Sequence, residues 1–214
     1  LTPHTLHSHA QGPAARVMVS TETLRQHLRA SGFAHAVVVP LGVDTDLFVR
    51  NTAPGVEPLA GPVFVYFGRL APEKDPEEFL KLDLPGTKLV VGDGPLRPGL
   101  ERRYPAARFV GFKRGTQLVD WLSIADVFVF PSQTETFGLV VLEALAMGIP
   151  VAAHNVMGPR DVIQNGVHGY LSDDLREAAL GCLKISREEC RNRALEFSWS
   201  ASAEAFAKNL EPVR

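Results

Sequence analysis

Short, continuous apolar runs recur along the chain, and stretches with helical periodicity separate most of them. The runs are rich in valine and phenylalanine and cover residues 16–19, 36–40, 62–67, 87–91, 108–110, 127–130 and 150–153. Strands that show no polar alternation are buried on both faces, which is typical of a parallel sheet covered by helices. The pattern predicts an α/β fold: a Rossmann-like parallel sheet with helices on both faces, followed from residue 174 to 210 by a helical tail.

Two helix starts are indicated directly by their residue types. Thr21 precedes an apolar stripe that Gly32 closes, so a helix is predicted between them. Asp75 is followed by a proline and then by acidic residues, which are the preferences of an N-cap and the first helical turn. We therefore expect a second helix over residues 76–82, with Asp75 as its cap.

Prolines and glycines cluster between residues 42 and 61, which makes this segment the best linker candidate. We predict three parts: residues 1–41 as the end of a preceding domain, 42–61 as a linker, and 62–214 as the main domain with its helical tail. The chain enters a strand pattern almost at once after its first residue. This start is unusual for a native N-terminus, and we expect the sequence to be a fragment of a longer protein.

Composition excludes several classes of function. With 22 basic and 24 acidic residues and no long run of one sign, the chain is not expected to bind nucleic acid. Cys182 and Cys190 give neither a disulfide framework nor a metal pattern, which favours a reducing, cytoplasmic compartment. His4, His7 and His9 could be metal ligands, but we interpret them as part of a terminal segment. No apolar run reaches the roughly 18 residues that cross a bilayer.

The loops that follow the predicted strands are where chemistry is expected, because open parallel sheets bind ligands beyond the carboxyl ends of their strands. Four loops carry unusual residues: GRLAPEK at 68–74, GDGP at 92–95, PSQTETFG at 131–138 and HNVMGPRD at 154–161. The glycines of GDGP lack the spacing of a dinucleotide fingerprint. A tight turn into the next helix explains them.

Gly138 opens an apolar helix, and Thr134 and Thr136 before it suit a cap. A helix N-terminus presents unpaired amides and partial positive charge, so it can receive a phosphate. Glu143 lies five residues further, about 7.5 Å along the axis at the helical rise. A diphosphate at Gly138 would bring its ribose near Glu143, whose carboxylate can accept both ribose hydroxyls. Glu135 would then face the sugar end, unless it is a capping or surface carboxylate.

Arg69 and Lys74 follow the strand that ends at Phe67 and could set two cations against two phosphates. Arg69 comes directly after a strand end and a glycine, at the mouth of the expected cleft. Lys74 has a plainer alternative, a surface ion pair with Glu73 or Asp75. Sequence spacing does not decide between these roles.

Together these motifs resemble glycosyltransferase family four. GVDTDLF at 42–48, GRLAPEK, GDGP, ADVFVFPSQTETFGLVVLEALAMGIPV at 125–151 and NGVHGYL at 165–171 match in order and spacing over essentially the whole chain. The most specific feature is the E-x7-E arrangement of Glu135 and Glu143. Two departures stand out: Asp75 occupies a position where the family often has glycine, and residues 157–161 differ from the family's loop, so sugar contacts there are in doubt.

The resemblance implies the C-terminal half of a two-domain B-type (GT-B) fold, a nucleoside-diphosphate-sugar donor, and sugar transfer with retention and without a metal or other cofactor. Arg69, Lys74 and Glu135 would be the catalytic residues. The implied donor contacts include these three together with Gly68, Phe112, Lys113, Phe137, Gly138, Leu139 and Glu143. The base would lie near residues 112–114.

The same resemblance implies that the acceptor site and a further catalytic group belong to an N-terminal domain that is mostly absent. We therefore expect the 214 residues to bind donor but transfer sugar poorly or not at all. The acceptor, lipid or saccharide, and attachment of the parent protein to the inner membrane surface stay open. Two alternatives remain: a sugar-nucleotide enzyme such as an epimerase, which should carry further acids or bases in loop 154–161, and a binding module without catalysis.

Overall fold

The computed structural model describes residues 16–52 and 54–210, and these form two parallel sheets of unequal size. The smaller sheet pairs β1 (Val17–Val19) with β2 (Ala36–Val38), and α1 (Glu22–Ala30) connects them. Thr21 caps α1 by accepting a hydrogen bond from the Leu24 amide at 3.1 Å, as predicted. The three histidines near the start of the chain lie outside the described residues.

The larger sheet contains six parallel strands and confirms the predicted fold class. They are β3 (Val63–Phe67), β4 (Thr87–Val91), β5 (Arg108–Gly111), β6 (Val127–Phe130), β7 (Val151–Ala153) and β8 (Gly169–Leu171). Their spatial order is β5-β4-β3-β6-β7-β8. The chain therefore starts in the middle at β3, builds outward to β5, and returns to place β6 on the other side of β3.

Helices cover both faces of this sheet. A 3-10 turn (Pro72–Lys74) precedes α2 (Pro76–Lys81), and the further helices are α3 (Arg97–Arg103), α4 (Thr116–Ser123), α5 (Leu139–Ala146), α6 (Pro159–Val162), α7 (Leu175–Cys182), α8 (Arg187–Leu195) and α9 (Trp199–Lys208). Helices α4, α5 and α8 share one apolar core, and α2, α3 and α7 share the other. Phe128 and Phe64 are fully buried, one in each core. Truncating either to alanine should cost about 3–5 kcal/mol.

Strand β8 was not predicted as a strand. It is an edge strand with the sequence Gly-Tyr-Leu, which lacks the run of valine or phenylalanine that marks the other strands, and two of its three residues are only partly buried. Gly169 is required there because a Cβ would lie 2.0 Å from the Val151 carbonyl oxygen. The helical tail, by contrast, is confirmed as α7, α8 and α9. Within the described ranges, every helix is too short or too polar to cross a membrane.

The segment predicted to be a linker, residues 42–61, packs against the main domain. Val43 and Phe48 are buried in the core that contains α5 and α8. The Val43 amide donates to the Phe197 carbonyl at 2.8 Å, which ties the segment to the end of α8. The division of the chain at residues 41 and 61 stays a prediction. The described residues of the segment, 42–52 and 54–61, form a strap that contributes to the core.

Candidate functional site

A cleft opens at the carboxyl edge of the large sheet, where the strand order changes direction between β3 and β6. It consists of two adjoining pockets that share four lining residues, Phe67, Gly68, Arg69 and Val140. We call them the Glu135 pocket, of about 320 Å³, and the Glu143 pocket, of about 550 Å³. Such a switch point is where open α/β sheets bind ligands.

Every residue that the sequence singled out as a site residue lines one of these pockets. Gly68 and Arg69 line both; Lys74, Glu135, Phe137, Gly138 and Leu139 line the Glu135 pocket, and Phe112, Lys113 and Glu143 line the Glu143 pocket. Parallel strands end at one edge of the sheet, so loops distant in sequence meet there. This convergence was expected from the order of strands and helices along the chain.

The N-terminus of α5 is open toward the Glu135 pocket. Gly138 is its N-cap, with a left-handed φ of 81° and no side-chain cap. The predicted cap by Thr134 or Thr136 is therefore wrong, since the Thr134 hydroxyl donates instead to the Glu73 carbonyl at 3.2 Å. Within the described chain, the Leu139 and Val140 amides have no hydrogen-bond acceptor. Free amides and the helix dipole favour an anion at this position.

Lys74 and Glu135 form an ion pair across the Glu135 pocket. The Lys74 Nζ lies 2.6 Å from Glu135 Oε2, and the side chains are only 28% and 16% exposed. The alternative pairing of Lys74 with Glu73 or Asp75 is therefore not what the structure has. Glu135 is likewise no free surface carboxylate. The pair places one cation and one anion beside the open end of α5.

Arg69 extends over the boundary between the two pockets. Its side chain is 69% exposed and lies 3.6 Å from Glu73 at its nearest ion-pair contact. Close packing fixes the backbone before it, because a Cβ on Gly92 would lie 1.9 Å from the Gly68 carbonyl oxygen. The turn that GDGP was predicted to make is thus also a contact surface for the Arg69 loop.

Glu143 lies on α5 in the second pocket, surrounded by apolar neighbours on the helix. Burial raises the pKa of its carboxyl group to about 7. Among the described residues, none forms an ion pair or hydrogen bond with this carboxylate. Phe112, 67% exposed, lines the same pocket and offers a ring face to a ligand. This half-buried carboxylate lines the pocket and has hydrogen-bonding capacity that a ligand can satisfy.

The acid and base groups of loop 154–161 are engaged elsewhere. The buried His154 places its Nε2 3.0 Å from both carboxylate oxygens of Glu78. Asp161 accepts hydrogen bonds from the Thr23 amide at 2.9 Å and the Gly158 amide at 3.3 Å. Neither His154 nor Asp161 lines the Glu135 or the Glu143 pocket. The epimerase alternative required free groups in this loop, and this arrangement speaks against it.

Sequence reasoning missed several apolar lining residues. Leu41, Leu47 and Phe48 come from the strap and its preceding residue, and Tyr66 comes from β3. Leu47 and Phe48 belong to the GVDTDLF motif, which did not by itself indicate that they line a pocket. Asp44 in that motif accepts hydrogen bonds from the amides of residues 46 and 47, which shapes the turn that delivers Leu47 and Phe48.

The fold and cleft define an α/β domain with a ligand site at the switch point of its sheet. A family model described as "Glycosyl transferases group 1" matches residues 61–187. The chain belongs to this family. Its sheet and flanking helices match the C-terminal half of glycosyltransferases with the two-domain B-type architecture.

Individual relatives agree with this family. A GDP-mannose-dependent alpha-mannosyltransferase of Mycobacterium tuberculosis is 35% identical over 166 residues, which are 72% of this chain and 43% of the relative. A D-inositol 3-phosphate glycosyltransferase of Mycolicibacterium smegmatis is 29% identical, over 90% of this chain and 52% of the relative. The chain thus spans about half the length of the curated relatives it matches.

Two solved structures show the same fold. Sucrose-phosphate synthase from Thermosynechococcus elongatus superposes with a TM-score of 0.81 and 25% identity, over 96% of this chain and 60% of that protein. Anabaena HepE, crystallised with UDP and glucose, gives a TM-score of 0.77 and 20% identity, over 98% of this chain and 67% of that protein. At these identities the likeness to HepE concerns the fold alone.

Proposed function

We propose that this chain is the donor-binding part of a retaining glycosyltransferase that uses a nucleoside-diphosphate sugar. The observation that carries the proposal is the open N-terminus of α5 at Gly138, which shares one pocket with Arg69 and Lys74. Unpaired amides and two cations match the two negative charges of a diphosphate diester. The proposed function therefore rests on the ability of this cleft to neutralise the charge of a diphosphate.

The two carboxylates then divide the rest of the donor between them. Glu143 lies about 7.5 Å along α5 from Gly138, the distance by which a ribose follows its diphosphate. Its carboxylate accepts the vicinal ribose hydroxyls, and the base extends toward Phe112 and Lys113. Glu135, on the other side of Gly138, binds hydroxyls of the transferred sugar.

The donor is a UDP- or GDP-sugar in this proposal. The similar proteins include users of both bases: the mycobacterial relative is GDP-mannose-dependent, and HepE, which shares the fold, was crystallised with UDP and glucose. The Glu143 pocket, at about 550 Å³, has room for either nucleoside. Binding measurements therefore have to identify the base and the sugar of the donor.

Charge stabilisation is the chemistry that the cleft provides. As the bond from the sugar to the diphosphate breaks, negative charge accumulates on the leaving phosphate. Arg69, Lys74 and the amides of Leu139 and Val140 stabilise that charge, and electrostatic stabilisation is usually the largest contribution to such catalysis. These groups supply the positive charge that a metal ion provides in other transferases, so the proposal requires no metal. Retention of configuration is proposed from the family resemblance.

Transfer to an acceptor requires the part of the enzyme that precedes this chain in its relatives. That part is proposed to carry the acceptor site, for a lipid or a saccharide, and a further catalytic group. The 214-residue chain should therefore bind donor without appreciable turnover, and a longer chain should transfer. Comparable turnover by the two would contradict this division of labour.

Titration calorimetry with UDP, GDP, UDP-glucose and GDP-mannose tests the donor site. Glu143→Ala should weaken binding of the bare nucleotide by about 1.5–3 kcal/mol, the size of charged hydrogen bonds. Glu135→Ala should spare the bare nucleotide and weaken the full donor. No binding of any of the four compounds at millimolar concentration would reject the proposed function.

Equal losses for UDP and UDP-glucose in Glu135→Ala would reject only the assignment of this residue to the sugar. A binding module without catalysis would give the same calorimetry. Turnover by the longer chain separates that alternative from the transferase.

A further inference from the structure

Arg69 has few contacts that hold its guanidinium in place. The side chain is largely exposed, and its ion pair with Glu73 is long at 3.6 Å. An arginine held this loosely binds a phosphate well only if its backbone is fixed, because every degree of freedom left in the loop reduces the fraction of productive orientations. The groups that restrain the backbone of Arg69 therefore determine how well it can act.

Tyr66 provides such a restraint from beneath the loop. It is buried in β3, and its hydroxyl donates a hydrogen bond to the Arg69 carbonyl at 2.7 Å. Among the described residues, no other group donates to that carbonyl. The ring stacks on Phe79 with 6.3 Å between the centroids, which fixes where the hydroxyl lies.

The two neighbouring peptide units are held by backbone contacts instead. The Gly68 amide donates to the Val91 carbonyl at 3.0 Å, and the Leu70 amide donates to the Asp93 carbonyl at 2.9 Å. These bonds hold the loop on each side of Arg69. The Tyr66 hydroxyl is the side-chain group that holds Arg69 itself, and it lines the Glu135 pocket.

The hydroxyl keeps its proton at any working pH. Burial, reinforced by the negative charges of Glu73 and Asp75, holds the pKa of Tyr66 well above its usual range. A neutral phenol donates one hydrogen bond, and here the Arg69 carbonyl accepts it. The hydrogen bond that restrains Arg69 is therefore not lost through ionisation of the phenol.

We propose that Tyr66 is a positioning residue for phosphate binding, because its buried hydroxyl fixes the Arg69 carbonyl and so orients the guanidinium toward the diphosphate. This inference rests on the proposed function. It concerns a residue that acts through Arg69 and that the sequence did not distinguish from the rest of its strand.

Tyr66→Phe is the decisive variant because it removes one oxygen and keeps the ring on Phe79. We expect UDP to bind about tenfold more weakly, the effect of one lost hydrogen bond. Tyr104→Phe is the matched control: it also removes a hydrogen-bonded hydroxyl, donated to Glu77 at 2.9 Å, but far from the cleft. That variant should bind UDP as the unsubstituted chain does.

A double-mutant cycle with Arg69→Ala separates positioning from general loosening. In the Arg69→Ala background, Tyr66→Phe should cause no further loss of UDP affinity, because there is no guanidinium left to orient. Melting temperatures are measured for all variants alongside calorimetry. A merely structural role would lower the melting temperature and leave the cycle additive.

Each outcome decides the inference. Equal UDP affinity of Tyr66→Phe and Tyr104→Phe overturns it, as does an additive cycle. A Tyr66→Phe chain that does not fold also overturns it, because the hydroxyl would then be needed for the fold itself. If the unsubstituted chain binds none of UDP, GDP, UDP-glucose and GDP-mannose, the proposed function fails and this inference fails with it. If the chain binds one of them and the two variants bind that compound equally, only the inference is rejected.

Discussion

Nucleotide affinity should depend on pH through Glu143. Burial raises the pKa of this carboxyl group from 4.5 to about 7, and among the described residues none forms an ion pair that would lower it. A carboxylate that accepts two ribose hydroxyls favours the ionised form, so ligand binding should lower the pKa and release a proton. Affinity should therefore rise as the pH increases through 7.

The magnitude follows from the fraction that is ionised in the free protein. With a pKa near 7, roughly one-tenth of the Glu143 carboxyl groups are ionised at pH 6 and roughly nine-tenths at pH 8. If only the ionised form binds ribose fully, the affinity changes by about tenfold between these two pH values. The change is smaller if the protonated acid retains one of the two hydrogen bonds.

UDP-glucose is the better probe because its diphosphate diester does not titrate in this range, whereas the terminal phosphate of UDP does. Calorimetry at pH 6, 7 and 8 in two buffers of different ionisation enthalpy gives both affinity and proton release. Glu143→Gln is the control, since it keeps the size of the side chain and one acceptor oxygen but cannot ionise. The affinity of Glu143→Gln for UDP-glucose should be lower than that of the unsubstituted chain at pH 8, and it should not change between pH 6 and pH 8.

The free protein should show the opposite trend in stability. Because the folded pKa is raised, the unfolded chain ionises first, and stability is lost as the pH rises from about 4.5 through 7. The loss should be on the order of 2–3 kcal/mol and absent in Glu143→Gln. A pH-independent affinity in the unsubstituted chain, or an equal slope in Glu143→Gln, would refute the reasoning for both properties.

Two further predictions concern the loops around the cleft. A double-mutant cycle on Lys74→Met and Glu135→Gln, with stability measured by urea denaturation, should give a coupling free energy of about 1–2 kcal/mol, because both side chains are mostly buried. A coupling near zero would mean that water screens the ion pair. Gly92→Ala should destabilise the chain by more than about 3 kcal/mol or prevent nucleotide binding, because its Cβ meets backbone. Gly99→Ala, with open space around it in α3, should be neutral or stabilising, and similar melting temperatures for the two would contradict the close packing of the loops.

The sequence predicted the sheet well because the residue pattern that identifies each strand is local. The β3, β6 and β7 runs are continuously apolar, and β4 and β5 are apolar after their polar starts. Both faces of β3 are in fact buried, since Val63 and Val65 enter one core and Phe64 and Tyr66 the other. The helix cap at Asp75 was also predictable, and its carboxylate accepts from the Glu78 amide at 3.3 Å.

Asp75 also explains a departure from the family pattern. Its φ of 41° makes it the one non-glycine residue with positive φ among those described. Aspartate tolerates this left-handed conformation better than most residues, and glycine tolerates it best. The position therefore keeps the conformation that glycine would favour and adds a helix cap.

Long-range contacts are what the sequence could not supply. The pairing of Lys74 with Glu135 joins residues 61 positions apart, and local spacing had offered nearer acids as partners. Thr134 was expected to cap α5, but the proximity of the Glu73 carbonyl decides its hydrogen bond. The proline and glycine content of the strap indicated a linker, and only the packed structure shows that Phe48 reaches the core.

Donor binding should change the interactions of the two glutamates of the cleft in different ways. Among the described residues, none pairs with the half-buried Glu143 carboxylate, so ribose hydroxyls would bind there without displacing an existing partner. Glu135 already has Lys74 as a partner, so sugar and phosphate must share or replace an existing ion pair, and the net gain there is smaller. The nucleoside half should therefore provide most of the affinity, while contacts at Glu135 serve mainly to orient the sugar. UDP and UDP-glucose should accordingly bind with similar affinity. A much tighter UDP-glucose complex would show that rearranging the Lys74–Glu135 ion pair costs less free energy than its 2.6 Å separation indicates.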